Sequence, residues 1–155
     1  MTTTKAILNQ VKSTLAADPT LSTNYMKQFY LGMRANIPEQ DFPLVMLDVM
    51  AVNEAYPNFP TVDGHFLMLV AAYTRVFDAD AQLIGDANYK GVLDLENDVK
   101  LAFGLQYPTL GLTGLMEFTF PKTEFVVRDD MAKFPVRGVL IQVDLHYRTR
   151  LDTRT

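Results

Sequence analysis

The sequence predicts an α+β fold: an antiparallel β-sheet of about five strands with two helices packed on one face, in a single domain spanning residues 1–155. Three observations carry this expectation. Apolar residues recur at helical spacing in only two segments. The other apolar segments are rich in β-branched and aromatic residues with a period near two, and strands follow one another without the βα alternation of a parallel sheet. At 155 residues, 48% of them hydrophobic and 21% charged, the chain is long enough for one substantial core.

The first helix is expected over about 4–17. Ile7, Leu8, Val11 and Leu15 share one face, Thr3 or Thr4 offers a cap, and Asp18-Pro19 supplies a stop. Strands are expected over Asn24 to Arg34 and Phe42 to Asn53. The stretch from Ala55 to Gly64 holds Pro57, Pro60 and Asp63-Gly64, which reads as a long hairpin connection leading into a third strand over His65 to Phe77. Asp78 to Gly91 is expected to be a polar loop. Val92, Leu95, Val99, Ala102 and Phe103 mark the second helix, with Gly104 in the position of a left-handed C-terminal cap. Two long strands, Gly114 to Val127 and Val136 to Thr149, complete the sheet around a charged connector. The chain closes on an arginine-containing tail from about 148.

The residue inventory tests chemistry directly. There is no cysteine, so disulfides, thiolate metal sites and cysteine nucleophiles are excluded. Ser13 and Ser22 are the only serines and neither lies in a G-x-S-x-G turn. His65 and His146 sit far apart in sequence, outside any H-E-x-x-H pattern, and read as structural or surface residues. The acidic run Asp78 to Asp86 places Leu83 where a calcium loop needs glycine and Tyr89 where it needs glutamate. No phosphate-binding glycine motif is present, and no cofactor or metal is expected. Asp94 and Asp98 are expected to face solvent from the second helix. Asp48 and Asp144 each interrupt a strand, which suggests pairing with a cation such as Arg75 or Arg137. No export signal is read at the N-terminus, and the longest uncharged apolar run, Phe66 to Tyr73, is eight residues, so no membrane partner is expected.

The net charge of −4 is unevenly distributed. Residues 41–98 hold ten carboxylates, among them Asp48, Asp78 and Asp80, against Arg75 and Lys90, whereas 133–155 hold Lys133, Arg137, Arg148, Arg150 and Arg154 against Asp144 and Asp152. An acidic middle and a basic end are complementary. They can meet within one chain or between copies stacked head to tail, and Arg137, Asp144, Arg148, Arg150, Asp48, Arg75, Asp78 and Asp80 are the candidate interface residues.

This arrangement resembles the tail terminator, or tail completion, proteins of long-tailed bacteriophages. The resemblance lies in the opening Ala6-Ile7-Leu8 helix, the strand entry Asp41-Phe42-Pro43-Leu44-Val45-Met46-Leu47, the helix Leu93 to Phe103, and the long last strand Phe134 to Arg148. It implies a structural, non-enzymatic virion protein at the head-proximal end of the tail, assembled in the host cytoplasm. Its partners would be itself as a homohexameric ring, the tail tube protein, and a head-completion or neck protein, with genome DNA passing through without specific binding. Another head–tail connector, a tail tube protein, or a small intracellular ligand-binding domain are the alternatives left open.

Overall fold

The computed structural model of the chain describes residues 3–22, 26–74, 79–86 and 90–151. The elements run α1 (Thr4–Ala17), α2 (Pro19–Ser22), β1 (Gln28–Leu31), β2 (Leu44–Asn58), β3 (Thr61–Tyr73), α3 (Ala79–Ile84), α4 (Val92–Gly104), β4 (Leu115–Thr119), β5 (Thr123–Arg128) and β6 (Val136–Arg150), with a short 3-10 turn at Glu39–Asp41. Helices and strands form an α+β fold around one mostly antiparallel, six-stranded sheet. Its order is β1-β2-β3-β6-β4, with β5 also paired to β6 and β1 parallel to β2.

Local chemistry sets the helix ends. Thr3 Oγ1 accepts from the Ala6 amide at 3.2 Å and caps α1. Asp18 ends α1 in an extended conformation and its carboxylate then accepts from the Thr20 and Leu21 amides, so one residue stops one helix and starts the next. Asp94 accepts from the Gly91 amide at the start of α4. Ile7, Val11 and Leu15 of α1 and Leu95, Val99, Ala102 and Phe103 of α4 are buried together against Val45, Leu47, Phe66, Met68, Val70, Val139, Ile141, Val143 and Leu145. Both long helices therefore cover the same sheet face. Each fully buried aliphatic side chain there stabilises the fold by about 1.5–3 kcal/mol. On the opposite face, among the described residues, the inner end alone is covered, where Ile37, Phe42 and Met131 pack on Leu44, Met46, Tyr73 and Val136.

Several boundaries differ from the sequence reading, each for a local reason. The supposed long connection at 55–64 is mostly strand: β2 runs to Asn58 and turns through Phe59-Pro60 directly into β3. Pro57 is tolerated because, among the described residues, the outer side of β2 carries no partner strand there, and the pairing with β3 shifts between Ala55 and Asn58. The single strand expected over 114–127 is two, β4 and β5, lying end to end along β6 and separated at Phe120-Pro121-Lys122. Part of the acidic loop is the short helix α3. Gly104 is not left-handed; the chain leaves α4 through Leu105 in a right-handed conformation, and the positive φ values fall later, at Leu110 and Gly111. The first strand is only Gln28–Leu31, and the expected strand ends at 24–25 and 75–77 lie outside the described residues, as do positions 78 and 87–89 of the expected polar loop.

Two glycines have a steric reason. Gly64 faces Tyr147 and Gly138 faces Tyr73 in the β3–β6 register, and at each the tyrosine ring occupies the space a Cβ would fill. The Tyr147 hydroxyl crosses Gly64 to donate to Glu54 Oε1 at 2.5 Å, and Tyr73 accepts from Arg128 at 3.4 Å beyond Gly138. Burial pushes both phenols up in pKa, with Glu54 adding to the effect at Tyr147. Gly138→Ala is expected to destabilise the protein by about 1–3 kcal/mol in urea unfolding, as an overpacked core does. Gly104→Ala, at the end of α4 where no neighbouring atom lies within 4 Å, is expected to raise the midpoint modestly.

Candidate functional site

The sheet has one conspicuous extension. β1 pairs only with Leu44–Leu47, so the outer edge of β2 has no partner strand from Asp48 to Asn58 among the described residues. Those eleven residues span roughly 35 Å at ordinary strand rise. No β2 side chain beyond Leu47 is buried, and Val49, Met50, Val52, Tyr56 and Phe59 are all exposed. The β2–β3 hairpin is thus an arm held to the body by β3–β6 pairing and open along its other edge. It holds its place because β3 and β6 stay in register out to Thr61 opposite Arg150. An apolar strand edge of this length is a template for backbone pairing with another chain.

The helix-free face of the arm carries a charged cluster. Three residues lie in a row across the strands: His65 of β3, His146 of β6 directly opposite, and Glu117 of β4. The two imidazole rings are parallel within 3° with centroids 4.6 Å apart. His65 Nδ1 lies 3.2 Å from both oxygens of Asp144, two residues along β6; His146 Nε2 makes a close contact with Asp63, two residues along β3. Arg148 donates to the second Asp63 oxygen at 3.4 Å, and Glu117 approaches His146 Nδ1 at 3.9 Å. The His146 hydrogen bond, opposed by partial burial and reinforced by Arg148, holds the Asp63 carboxyl below the usual carboxylate range. Among the described residues no three or more histidines and carboxylates converge as a metal-binding group, because the imidazole nitrogens point to separate carboxylates.

The sequence-predicted interface residues are scattered by the fold. Asp144 and Arg148 join this cluster. The partner of Asp144 is His65, and Arg137 instead donates to Gln82 of α3 at 3.2 Å, so the expected Asp144–Arg137 pairing does not form. Asp48 accepts from the Val49 amide at the base of the arm. Asp80 is exposed in the first turn of α3, and Arg150 is exposed opposite Thr61 at the arm's tip. Arg75 and Asp78 lie outside the described residues. Asp98, expected to face solvent, is buried to 9% exposure and lies 3.9 Å from Lys90. Asp63, Glu117 and the two histidines were not singled out together by sequence. Their signal was available only through strand register, since positions 65 and 146 become neighbours only when the two longest strands pair.

A cleft of about 520 Å³ lies elsewhere, between the 36–39 and 132–134 loops, with Glu39 and Lys133 as its charged lining residues. A scan against protein-family models finds no match for this chain, and a search of curated proteins finds none either.

The depressed Asp63 carboxyl has a signed consequence for stability. A carboxyl whose folded pKa lies below its unfolded value contributes stability above the ordinary carboxylate range, and that contribution is lost as pH falls through the folded value. Asp63→Asn is therefore expected to flatten the acid limb of the stability curve below about pH 4, where unfolded aspartates titrate. Urea unfolding at a series of pH values measures this, and an acid limb as steep as the parent's would refute the assignment.

Proposed function

We propose that the chain is a structural protein of a bacteriophage tail, a terminator whose copies close into a hexameric ring. The ring caps the tail tube, ends its polymerisation and presents its other face to head-completion or neck proteins. The observation that carries this reading is the arm: an apolar strand edge that no described strand pairs from Asp48 to Asn58, in a sheet one face of which is closed by helices. Such an edge suits docking onto a neighbouring copy, and a head-to-tail contact of this kind generates a ring when its rotation closes. The α+β architecture, with both long helices on one side, supports the resemblance on which the reading rests.

The charge distribution needs one revision. Arg148 binds Asp63 of its own chain, so part of the complementarity between acidic middle and basic end is satisfied inside the monomer. Arg148→Glu would consequently disturb the arm itself and is a poor probe of subunit contact. In the ring, carboxylates of the acidic middle that reach the channel would repel the phosphate backbone and let the genome slide through. The protein would act at the head-proximal end of the tail after assembling in the host cytoplasm.

The same open edge also suits a tail tube protein, which would continue into filaments where a terminator stops at one ring. Native mass spectrometry of the purified protein is expected to show a single closed oligomer. Val49→Lys with Val52→Lys, which charges the arm's exposed surface and leaves the core untouched, is expected to give folded monomers. In an infected host, loss of the protein is expected to give overlong tails unattached to heads, seen by electron microscopy; tails of normal length would overturn the reading.

A further inference from the structure

The cleft of about 520 Å³ between the 36–39 and 132–134 loops lies at the inner end of the sheet, away from the arm. Its size falls within the roughly 300–1,000 Å³ of small-ligand sites. Its floor belongs to the core: Ile37 is buried, and half-buried Phe134 sets its ring edge-on to buried Phe42 with centroids 5.8 Å apart. The two loops are tied together, since the Ile37 amide donates to the Met131 carbonyl at 2.7 Å. On the first loop the Phe42 amide donates to the Glu39 carbonyl at 3.2 Å and closes the short 3-10 turn that Glu39 opens. Asn36 enters that loop at φ 54°, a left-handed conformation that sets the chain's direction there. The cleft is therefore preformed, with a firm apolar floor.

Its walls carry opposite charges. Glu39 stands on one loop and Lys133 on the other, both exposed, and among the described residues neither side chain makes a hydrogen bond or an ion pair. They do not neutralise each other across the cleft, in contrast to Lys100 with Glu96 and Lys122 with Glu124. An anionic ligand meets Glu39 as a like charge, a cationic one meets Lys133 as a like charge, and an uncharged apolar one leaves both unmatched. A ligand with an ammonium and a carboxylate on an apolar body satisfies both walls and the floor. We propose that the cleft is a binding site for such a zwitterion, an apolar α-amino acid or a short apolar peptide. Its ammonium faces Glu39, its carboxylate faces Lys133, and its apolar side chain rests on Ile37 and Phe134. The site needs one copy of the chain and neither uses nor tests the tail reading.

Amide-resolved nuclear magnetic resonance titration of the full chain with phenylalanine, and separately with the dipeptide leucyl-phenylalanine, tests this. The expected result is saturable shifts confined to the 36–39 and 132–134 loops. Tighter binding of the dipeptide assigns the site to peptides, and equal or tighter binding of phenylalanine assigns it to the free amino acid. The better of the two ligands with its amine acetylated, or with its carboxylate amidated, is expected to bind roughly three- to tenfold more weakly. Glu39→Gln and Lys133→Gln change exposed side chains, and each is expected to weaken that ligand's binding by a similar factor with the amide spectrum elsewhere unchanged. No saturable shift with either zwitterion, a blocked ligand that binds as tightly as its parent, or a titration unchanged in either variant would each overturn the proposal.

Discussion

The antiparallel pairing of β3 with β6 is the constraint on which the other elements depend. It runs unbroken from Thr61 opposite Arg150 to Tyr73 opposite Gly138. On one side it supports β2; on the other it supports β4 and β5, which do not pair with each other and share β6 as a common template. Its alternation presents Phe66, Met68, Val70, Val139, Ile141, Val143 and Leu145 to the helices as one apolar surface. Toward its outer end the same pairing carries the exposed half of β2, so the buried body and the open edge belong to one ladder with two environments.

Much of this was legible in the sequence, and the failures have physical causes. The helices at 4–17 and 92–103 and the final strand were visible because their periodicity is strong and their caps are local; Thr3 and Asp18 act through bonds to residues within three positions. The hairpin strands are longer than the sequence predicts because their proline and glycine are not turn residues. Pro57 sits on an edge that needs no donor, and Gly64 is glycine because a tyrosine from another strand lies over it. Neither fact exists until the sheet is assembled. The same holds for the charged cluster: Asp144 stands out in the sequence as a charge within a strand, but its partner is a histidine 79 positions away, brought close by register alone. Pro121 differs, since a proline within one apparent run is itself a local reason to divide it, and β4 and β5 separate there.

Charge shows a similar division between what composition reports and what folding does with it. The chain's −4 averages an acidic middle over a basic end. Folding brings the two together at the arm, where Asp63 meets His146 and Arg148. Lys90 beside Asp98 and Lys100 beside Glu96 settle other charges locally on or near α4. Surface pairs of this kind contribute little individually. Those at the arm matter more for where they are, because they tie the last residues of β6 to the first residues of β3 on the sheet face that the long helices do not cover.

The tyrosine–glycine pairs at Gly64 and Gly138 bear on a different question, how two long strands choose one alignment. Along β3 and β6 the apolar residues recur so regularly that a slide of two positions would keep every side chain on its proper face. Such a slide would set Tyr147 against Val62 or Phe66 and Tyr73 against Val136 or Leu140, with no empty site beneath either ring. The two notches, one on each strand and on opposite faces of the sheet, admit both rings at a single offset. They act as a two-point key for the ladder, and because one notch lies in the arm and the other near the inner end, the projection and the core are cut to the same alignment.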